Sequence, residues 1–388
     1  MSTVKRVSID DLTEGSYVVS VTKQVGTLRI RHTGLVRSSK VISQLKENGI
    51  LELEIDMARS INQEKDDVAE ELKEDKPKRK ANLDVELTKA RAILEETRNI
   101  QKSLLNDIQR DNLVDAKPLE NVANNLIESV FRNSDAMSCL ARIRDKNAHL
   151  LEHAISCATL MAVFGKHLDL DKKIINELAV GAMLHDVGKV RLPEEILNKT
   201  TRLTPEEVKM DQTHISHTAD ILSEMKDLSP ISREVAINHH ELLNGKGYPA
   251  GLKGEQISMH TRMMTIVDIY DNLTRQTNKN KESGPLAAFR LMMERAPNEL
   301  DAELLPKFIK CIGIYPVGTV VRLKSGRLGI VTHHNANHPT RPKIKLVYNA
   351  KHQHHIDVKT IDLVHHQQDE IEACVNPEKY GLDMHNYL

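Results

Sequence analysis

The sequence predicts a mainly α-helical protein: a helical bundle with a small α+β domain before it and a small antiparallel β unit after it. Three observations carry this reading. Apolar residues recur at three-, four- and seven-residue intervals from about residue 84 to 312. β-Branched residues surround a Gly turn in VSIDDLTEGSYVVSV near the start. Alternation with Gly/Ser turns returns after Gly313, in IYPVGTVVRLKSGRLGIVTHH and KIKLVYNAKHQHHIDVKTIDL.

Residues 1–58 form the N-terminal α+β domain, to which we assign a regulatory role; within it VISQLKENGILELEID reads as a short helix, a Gly stop and a strand. Residues 59–83 are dense in charge and poor in apolar side chains, as in a solvated linker. The helical region 84–312 opens with Val85, Ala92, Ile93, Ile100, Leu104, Leu105 and Ile108 on one long amphipathic helix. That stripe either packs within the chain or forms the seam of a homodimer, and the first is the simpler reading. Further helices are expected at 119–141, 149–168, 171–185, 205–226, 230–241 and 260–276. The 205–226 helix starts cleanly, with Thr204 as N-cap, Pro205 at the first helical position and Glu206 and Glu207 in the first turn. The β unit occupies 313–368, and 369–388 reads as a weakly specified tail.

Composition removes several function classes. The 388 residues carry 54 basic and 55 acidic side chains, so neither a broadly basic DNA binder nor a polybasic membrane partner is expected. Aromatics make up 3% and Trp is absent, which argues against base-stacking platforms. Cys139, Cys157, Cys311 and Cys374 are scattered without a CxxC pair, so neither a disulfide framework nor a thiolate zinc site is expected. The N-terminus MSTVKRVSIDDL lacks the apolar stretch of a signal peptide, and no run approaches the ~18 apolar residues of a membrane span; a cytoplasmic protein is expected.

The 19 histidines are clustered. HDVGK places His185 and Asp186 side by side near a helix end, followed by Gly188 and Lys189. His153 lies on the preceding helix, His214 on a following one, and His239 and His240 are adjacent. Asp268 sits in the apolar helix MMTIVDIYDNLT, where an unpaired carboxylate is costly to bury. Each histidine alone is more simply a surface or core residue, but that reading does not absorb all seven positions. Five imidazoles and two carboxylates suffice for two octahedral ions, and nitrogen/oxygen ligation without sulfur suits iron, manganese, zinc or nickel. Asp186 has two oxygens and can bridge two ions, with a bridging hydroxide suited to phosphoester hydrolysis. Lys189 can neutralise phosphate charge, and Asp271 can orient a ligand or an attacking water.

The spacing of His153, His185-Asp186, His214, His239-His240 and Asp268, together with HHELLNGKGYPAGLKGEQIS and TRMMTIVDIYDNLT, resembles the HD-GYP family of bacterial cyclic-dinucleotide phosphodiesterases. The likeness covers about 135–320, and VSIDDLTEGSYVVSV resembles the small domain that often precedes these enzymes. The resemblance implies an HD-type helical bundle, a two- or three-metal centre, commonly of iron, and cleavage of cyclic di-GMP to linear pGpG and onward to GMP. Some relatives prefer cyclic GMP-AMP. It also implies that the loop of Gly247, Tyr248 and Pro249 shapes the substrate pocket and contacts diguanylate cyclase (GGDEF-type) domains.

Two departures stand out. Members with a third metal use a glutamate shortly before the first histidine; here Asn147, Ala148 and His149 lie near that place and Glu152 adjoins His153, so two metals are expected. After YDNLT the family often has an Arg-Pro-Tyr-Lys-like run, where this chain has RQTNKNKESG. Thr277 takes the arginine's place, leaving Arg275, Lys279 and Lys281 as substitutes; this motivates a weakly active cyclic-dinucleotide receptor as the alternative function. His333, His334, His338, His352, His354, His355, His365 and His366 fit no recognised ligand spacing and read as polar residues of the β unit, and His217 is a weaker candidate for a supporting role behind the ligands.

Overall fold

The computed structural model describes residues 4–13, 15–25, 34–36, 39–57, 60, 82–143, 148–199, 201–274, 284–335 and 337–387. Most of the charged segment 59–83 lies outside them, as do Asn147, Arg275, Thr277, Lys279 and Lys281. The chain divides into two compact units, residues 1–78 and 79–388.

In the first unit, β1 (Val4–Ser8), β2 (Tyr17–Gln24), β3 (Gly34–Leu35) and β4 (Ile50–Asp56) form a sheet of order β1-β4-β2-β3, with α1 (Ser39–Glu47) preceding β4. The pairings are antiparallel. Alternation along β4 buries Leu53 and Ile55 with Val18, Val36 and Leu45. This is the small α+β region that the sequence predicts.

The second unit is helical: α2 (Leu83–Gln109), α3 (Lys117–Leu140), α4 (His149–His167), α5 (Lys172–Leu184), α6 (Glu194–Leu197), α7 (Pro205–Gln212), α8 (His214–Glu224), α9 (Pro230–Asn238), α10 (Met259–Thr274), α11 (Pro285–Arg295) and α12 (Leu304–Ile312). No helix among the described residues is long and apolar enough to cross a membrane. Helix α4 is buried on nearly every side and is the axis of the bundle. Helix α3 kinks at Asn133, whose backbone leaves the helical region (φ −158°, ψ 100°) while its side chain accepts the Asp135 N–H at 3.0 Å. The chain thus stops and restarts one helix with an internal N-cap.

The structure differs from the sequence expectation in three places. The stripe on α2 is rotated: Glu86, Leu87, Ala90, Leu94, Thr97, Gln101, Leu104 and Ile108 are the buried positions, whereas Val85 is 56% exposed. Its polar members have partners, since Gln101 donates to the Met183 carbonyl at 2.7 Å and so faces inward within the chain. The expected helix 205–226 is two helices that break at Thr213, where the chain turns so that α8 begins on His214. The expected tail is structured: β9 (Ile371–Cys374) pairs with β5 (Val320–Leu323) at one edge of an antiparallel sheet with β6 (Arg327–His333), β7 (Lys343–Asn349) and β8 (His354–Asp362), in order β8-β7-β6-β5-β9. One face of that sheet (Val321, Leu323, Val331, Ile344, Leu346) joins the helical core. The other face (Val320, Leu328, Ile330, Val347, Tyr348) is covered by Leu382 and its neighbours. Burial on both faces explains why residues beyond 369 are held: they cap an apolar surface that water would otherwise meet.

Glu86 is 1% exposed and accepts hydrogen bonds from Ser129 Oγ (2.7 Å) and from Nε and Nη2 of Arg132 (2.9 Å each), tying α2 to α3. Burial pushes its carboxyl up, but the bonds to Arg132 and Ser129 pull it further, below the usual glutamate range. Glu86→Gln should therefore lower stability by about 1–3 kcal/mol near neutral pH, read from urea midpoints. A depressed carboxyl stabilises above its unfolded value and loses that contribution on acidification, so the gap between the two proteins should narrow as pH falls through 4.5 and below.

Candidate metal centre

Five helices deliver seven ligand-type side chains to one point inside the bundle. His153 comes from α4 and His185 from the end of α5; Asp186 follows it and precedes a tight 3-10 turn, Val187–Arg191. His214 opens α8, His239 caps α9 with His240 next to it, and Asp268 lies within α10. All but His240 are buried, and all seven are among the residues the sequence singles out.

The imidazoles are aimed by their own helices. His185, His214 and His239 each donate Nδ1–H to the carbonyl three residues back, of Ala182, Asp211 and Ala236. That fixes the tautomer and leaves Nε2 as the inward-facing lone pair. His153 is set differently: Asp271 Oδ2 accepts from its Nδ1 at 2.7 Å, and Ser156 Oγ donates to Asp271 Oδ1 at 2.6 Å. Asp271 therefore fixes the orientation of the His153 ring. Gly188 lets the turn press against α8: a Cβ there would lie 2.1 Å from the His214 carbonyl oxygen and 2.5 Å from Thr218 N.

The ligand atoms fall into two groups, His153, His185 and Asp268 with Cys157, and Asp186, His214, His239 and His240. Asp186 faces both. Its Oδ2 is 3.4 Å from His185 Nε2 and 3.7 Å from His153 Nε2; its Oδ1 is 3.5 Å from His214 Nε2 and 3.9 Å from His239 Nε2. Asp268 also reaches across, with Oδ1 3.0 Å from His153 Nε2 and Oδ2 4.0 Å from His240 Nδ1. Asp186 Oδ1, His214 Nε2 and His239 Nε2 are buried with no hydrogen-bond partner. Lone pairs sequestered from water and facing one another are the expected state of a site whose partner is a cation.

Electrostatics agree for the second group, whereas at the first, burial draws His153 down but Cys157, Asp268 and Asp271 hold it well above its ordinary range. Burial and the neighbouring imidazoles hold His239 well below its ordinary range, and burial draws His240 down to about 4, so both are neutral donors near pH 7. Burial pushes Asp186 up, yet Lys189 and His185 hold it well below the usual carboxylate range. Lys189 donates to Asp186 Oδ2 at 2.7 Å, with its side chain 24% exposed at the rim.

Two participants were not read from the sequence. Cys157 stands one helical turn after His153, with Sγ 3.7 Å from His153 Nδ1, and burial pushes its thiol up to about 12. The i, i+4 spacing on α4 was the available signal. Glu241, next to the His239-His240 pair, is 1% exposed and accepts three backbone N–H bonds, from Ala250 (2.7 Å), Gly251 (3.0 Å) and Leu252 (2.9 Å). It folds the loop carrying Gly247, Tyr248 and Pro249 back over the site. Tyr248 stacks on His240 with centroids 4.7 Å apart, and a Cβ on Gly247 would lie 2.4 Å from Leu242 N. Glu152 points elsewhere, bound by Arg98 Nε at 2.8 Å and Nη2 at 3.2 Å. The clustered histidines of the C-terminal sheet form no ligand group among the described residues. Glu241→Ala should free the 247–252 loop, and hydrogen-exchange mass spectrometry should show its protection falling while α4 and α5 keep theirs.

Comparison with known proteins identifies an HD domain over residues 138–304, a domain of unknown function (DUF3391) over 4–119, and a KOW domain associated with HD domain over 320–382. The chain is 30% identical over 281 residues to the cyclic di-GMP phosphodiesterase PA4108 of Pseudomonas aeruginosa, covering 72% of this chain and 68% of that protein. It is 28% identical to a cyclic di-GMP phosphodiesterase of Thermotoga maritima over 54% of this chain and 57% of that one. It is 33% identical to the 3'3'-cGAMP-specific phosphodiesterase 2 of Vibrio cholerae over 38% of this chain and 27% of that one. Bd1817, an HD-GYP-type protein of Bdellovibrio bacteriovorus, shares the fold with a TM-score of 0.50 and 16% identity, covering 79% of this chain and 98% of that one. This chain belongs to the HD-GYP family of HD-domain phosphodiesterases.

Proposed function

We propose that the protein hydrolyses cyclic di-GMP to linear pGpG, and onward to GMP, at a centre of two divalent transition-metal ions, most simply iron. The observation that carries the two-ion reading is Asp186, whose two oxygens face separate groups of imidazoles. His153, His185 and Asp268 would hold one ion; His214, His239 and His240 would hold the other. Two such ions, when bound, lower the pKa of a shared water, clamp a phosphoryl oxygen and stabilise the leaving alkoxide.

The chain's own side chains account for the remaining requirements. The backbone-tethered imidazoles keep their Nε2 lone pairs pre-aimed, so little reorganisation accompanies binding. Lys189 places a cation at the rim beside Asp186, where a phosphodiester would enter. Tyr248, stacked on His240, offers an aromatic wall beside the opening, and Gly247 and Pro249 shape its loop. The same loop is the surface we assign to diguanylate cyclase domains, and the N-terminal α+β unit is assigned a regulatory role. The Glu152–Arg98 pair supports two ions rather than three, because the nearby carboxylate is already committed.

Asp186→Ala should abolish turnover, by at least ~10³-fold, while far-UV circular dichroism keeps the helical signal. Undiminished turnover by the metal-loaded variant would sink the mechanism. The panel of cyclic di-GMP, 3'3'-cGAMP, cyclic mononucleotides and dNTPs, run with iron and with manganese, decides the substrate. Tight binding without product under either metal would favour a receptor instead. Mn²⁺ added to metal-free protein should raise Tm saturably, and His214→Ala should reduce the bound metal, as read by elemental analysis.

A further inference from the structure

A second cavity, of about 100 Å³, lies at the seam between the helical bundle and the C-terminal sheet, lined by Arg142, Thr274, Thr319, Cys374 and Asn376 among others. It shares no residue with the metal centre. A single water needs only ~10–15 Å³ of such volume, so the cavity has room for a small ligand.

Several of its donors have few partners or none among the described residues. Arg142 is half-buried just past the end of α3, and its one polar contact among the described residues is a long bond to the Tyr270 hydroxyl at 3.4 Å. Several other half-buried arginines meet carboxylates, Arg98 with Glu152, Arg262 with Asp301 and Arg327 with Asp369, whereas Arg233 bonds the Leu222 carbonyl. Withdrawing a guanidinium from water without a counter-ion is costly. Its stem packs beside Gly318, with Cδ 3.2 Å from where a Cβ on that glycine would stand. The Thr319 hydroxyl is buried and has no hydrogen-bond partner. Asn376 uses its Oδ1 to accept the Glu378 N–H, and its amide NH₂ has no partner among the described residues. Among the described residues lining the cavity there is no carboxylate, and burial pushes the Cys374 thiol up to about 11, so it is uncharged; Asp135 and Asp271 line a neighbouring cavity that Arg142 also borders. Thr274 already donates to the Tyr270 carbonyl at 2.9 Å.

We propose that this cavity is an anion site that takes the phosphoryl group of a small molecule on Arg142, Thr319 and Asn376. Residues carrying a guanidinium fork, a hydroxyl and an amide line one space, and those groups together match a tetrahedral oxyanion. The site joins the sheet to the C-terminal end of α10, one turn beyond Asp271, so its ligand clamps the element that carries Asp268 and Asp271. The inference does not rest on the reaction proposed for the metal centre.

Calorimetry on the metal-free full chain, in EDTA at fixed ionic strength, tests it with inorganic phosphate in one arm and ribose 5-phosphate in the other. Saturable one-to-one binding is expected, weakened at least ~10-fold by Arg142→Gln and retained by Asp186→Ala, which alters only the metal centre. Tighter binding of ribose 5-phosphate than of phosphate would assign the site to phosphomonoesters, and the reverse to the free ion. Absence of saturable binding, or equal binding by Arg142→Gln, overturns the proposal. Should Arg142→Gln fail to fold, Asn376→Ala replaces it: affinity should fall several-fold, and unchanged affinity overturns the proposal.

Discussion

The structure depends on keeping one ionised carboxylate, Asp186, inside a helical core. It is 2% exposed, and an isolated carboxylate there would be prohibitively expensive. Helices α4, α5, α8, α9 and α10 converge on it, each bringing an imidazole, a cation-binding carboxylate or both. Among the described residues Lys189 supplies the one ammonium in hydrogen-bonding reach, at 2.7 Å, but a single rim cation leaves Oδ1 unpartnered. Positive charge between the two groups of nitrogens would satisfy this geometry, and the buried His/Asp groups are compatible with a divalent metal there.

That requirement explains features that would otherwise look arbitrary. Helix α5 ends at Leu184 and gives way to a 3-10 turn, because the turn swings His185 and Asp186 in different directions. Gly188 admits the backbone of α8 at a distance no side chain would tolerate. The break at Thr213 starts a new helix on His214, and His214 spends its Nδ1 proton on the carbonyl of Asp211, in the preceding helix. The supporting polar groups are likewise committed. Asp271 and Ser156 brace His153, Arg98 draws the Glu152 carboxylate away, and Glu241 collects three backbone N–H groups that fold the Tyr248 loop onto His240.

The C-terminal sheet completes the unit by covering the far side of the bundle. One face of β5, β6 and β7 belongs to the helical core, so strand residues help fix the helices that carry the ligands. Leu382 and the segment around it seal the opposite face, which makes the last residues structural. Arg142 marks the seam, packed against Gly318 of the sheet region and bonded to Tyr270 of α10.

The sequence by itself determined the helical class, the α+β and β flanks, and the seven imidazole and carboxylate residues that the structure brings together. Imidazoles and carboxylates repeated in apolar helices have few inexpensive explanations, so their chemistry was legible before their geometry. Tertiary structure alone decided which atoms face one another. In PEEVKMDQTHISHTADIL the one Pro is Pro205 at the helix start, and no Gly or Pro stands near Thr213 to announce the break there. The buried stripe of α2 is set by α3 and by the Met183 carbonyl, so periodicity gave the helix but rotated its face. Glu241 looked like one more charged residue because its three partners lie nine to eleven residues away in a loop whose path is not local. The strand at Ile371–Cys374 was hidden because four residues carry too short a pattern, and only the exposed edge of β5 gives them a reason to pair. Side-chain chemistry is written residue by residue, whereas the direction of a helix and the pairing of an edge are fixed by partners distant in the chain.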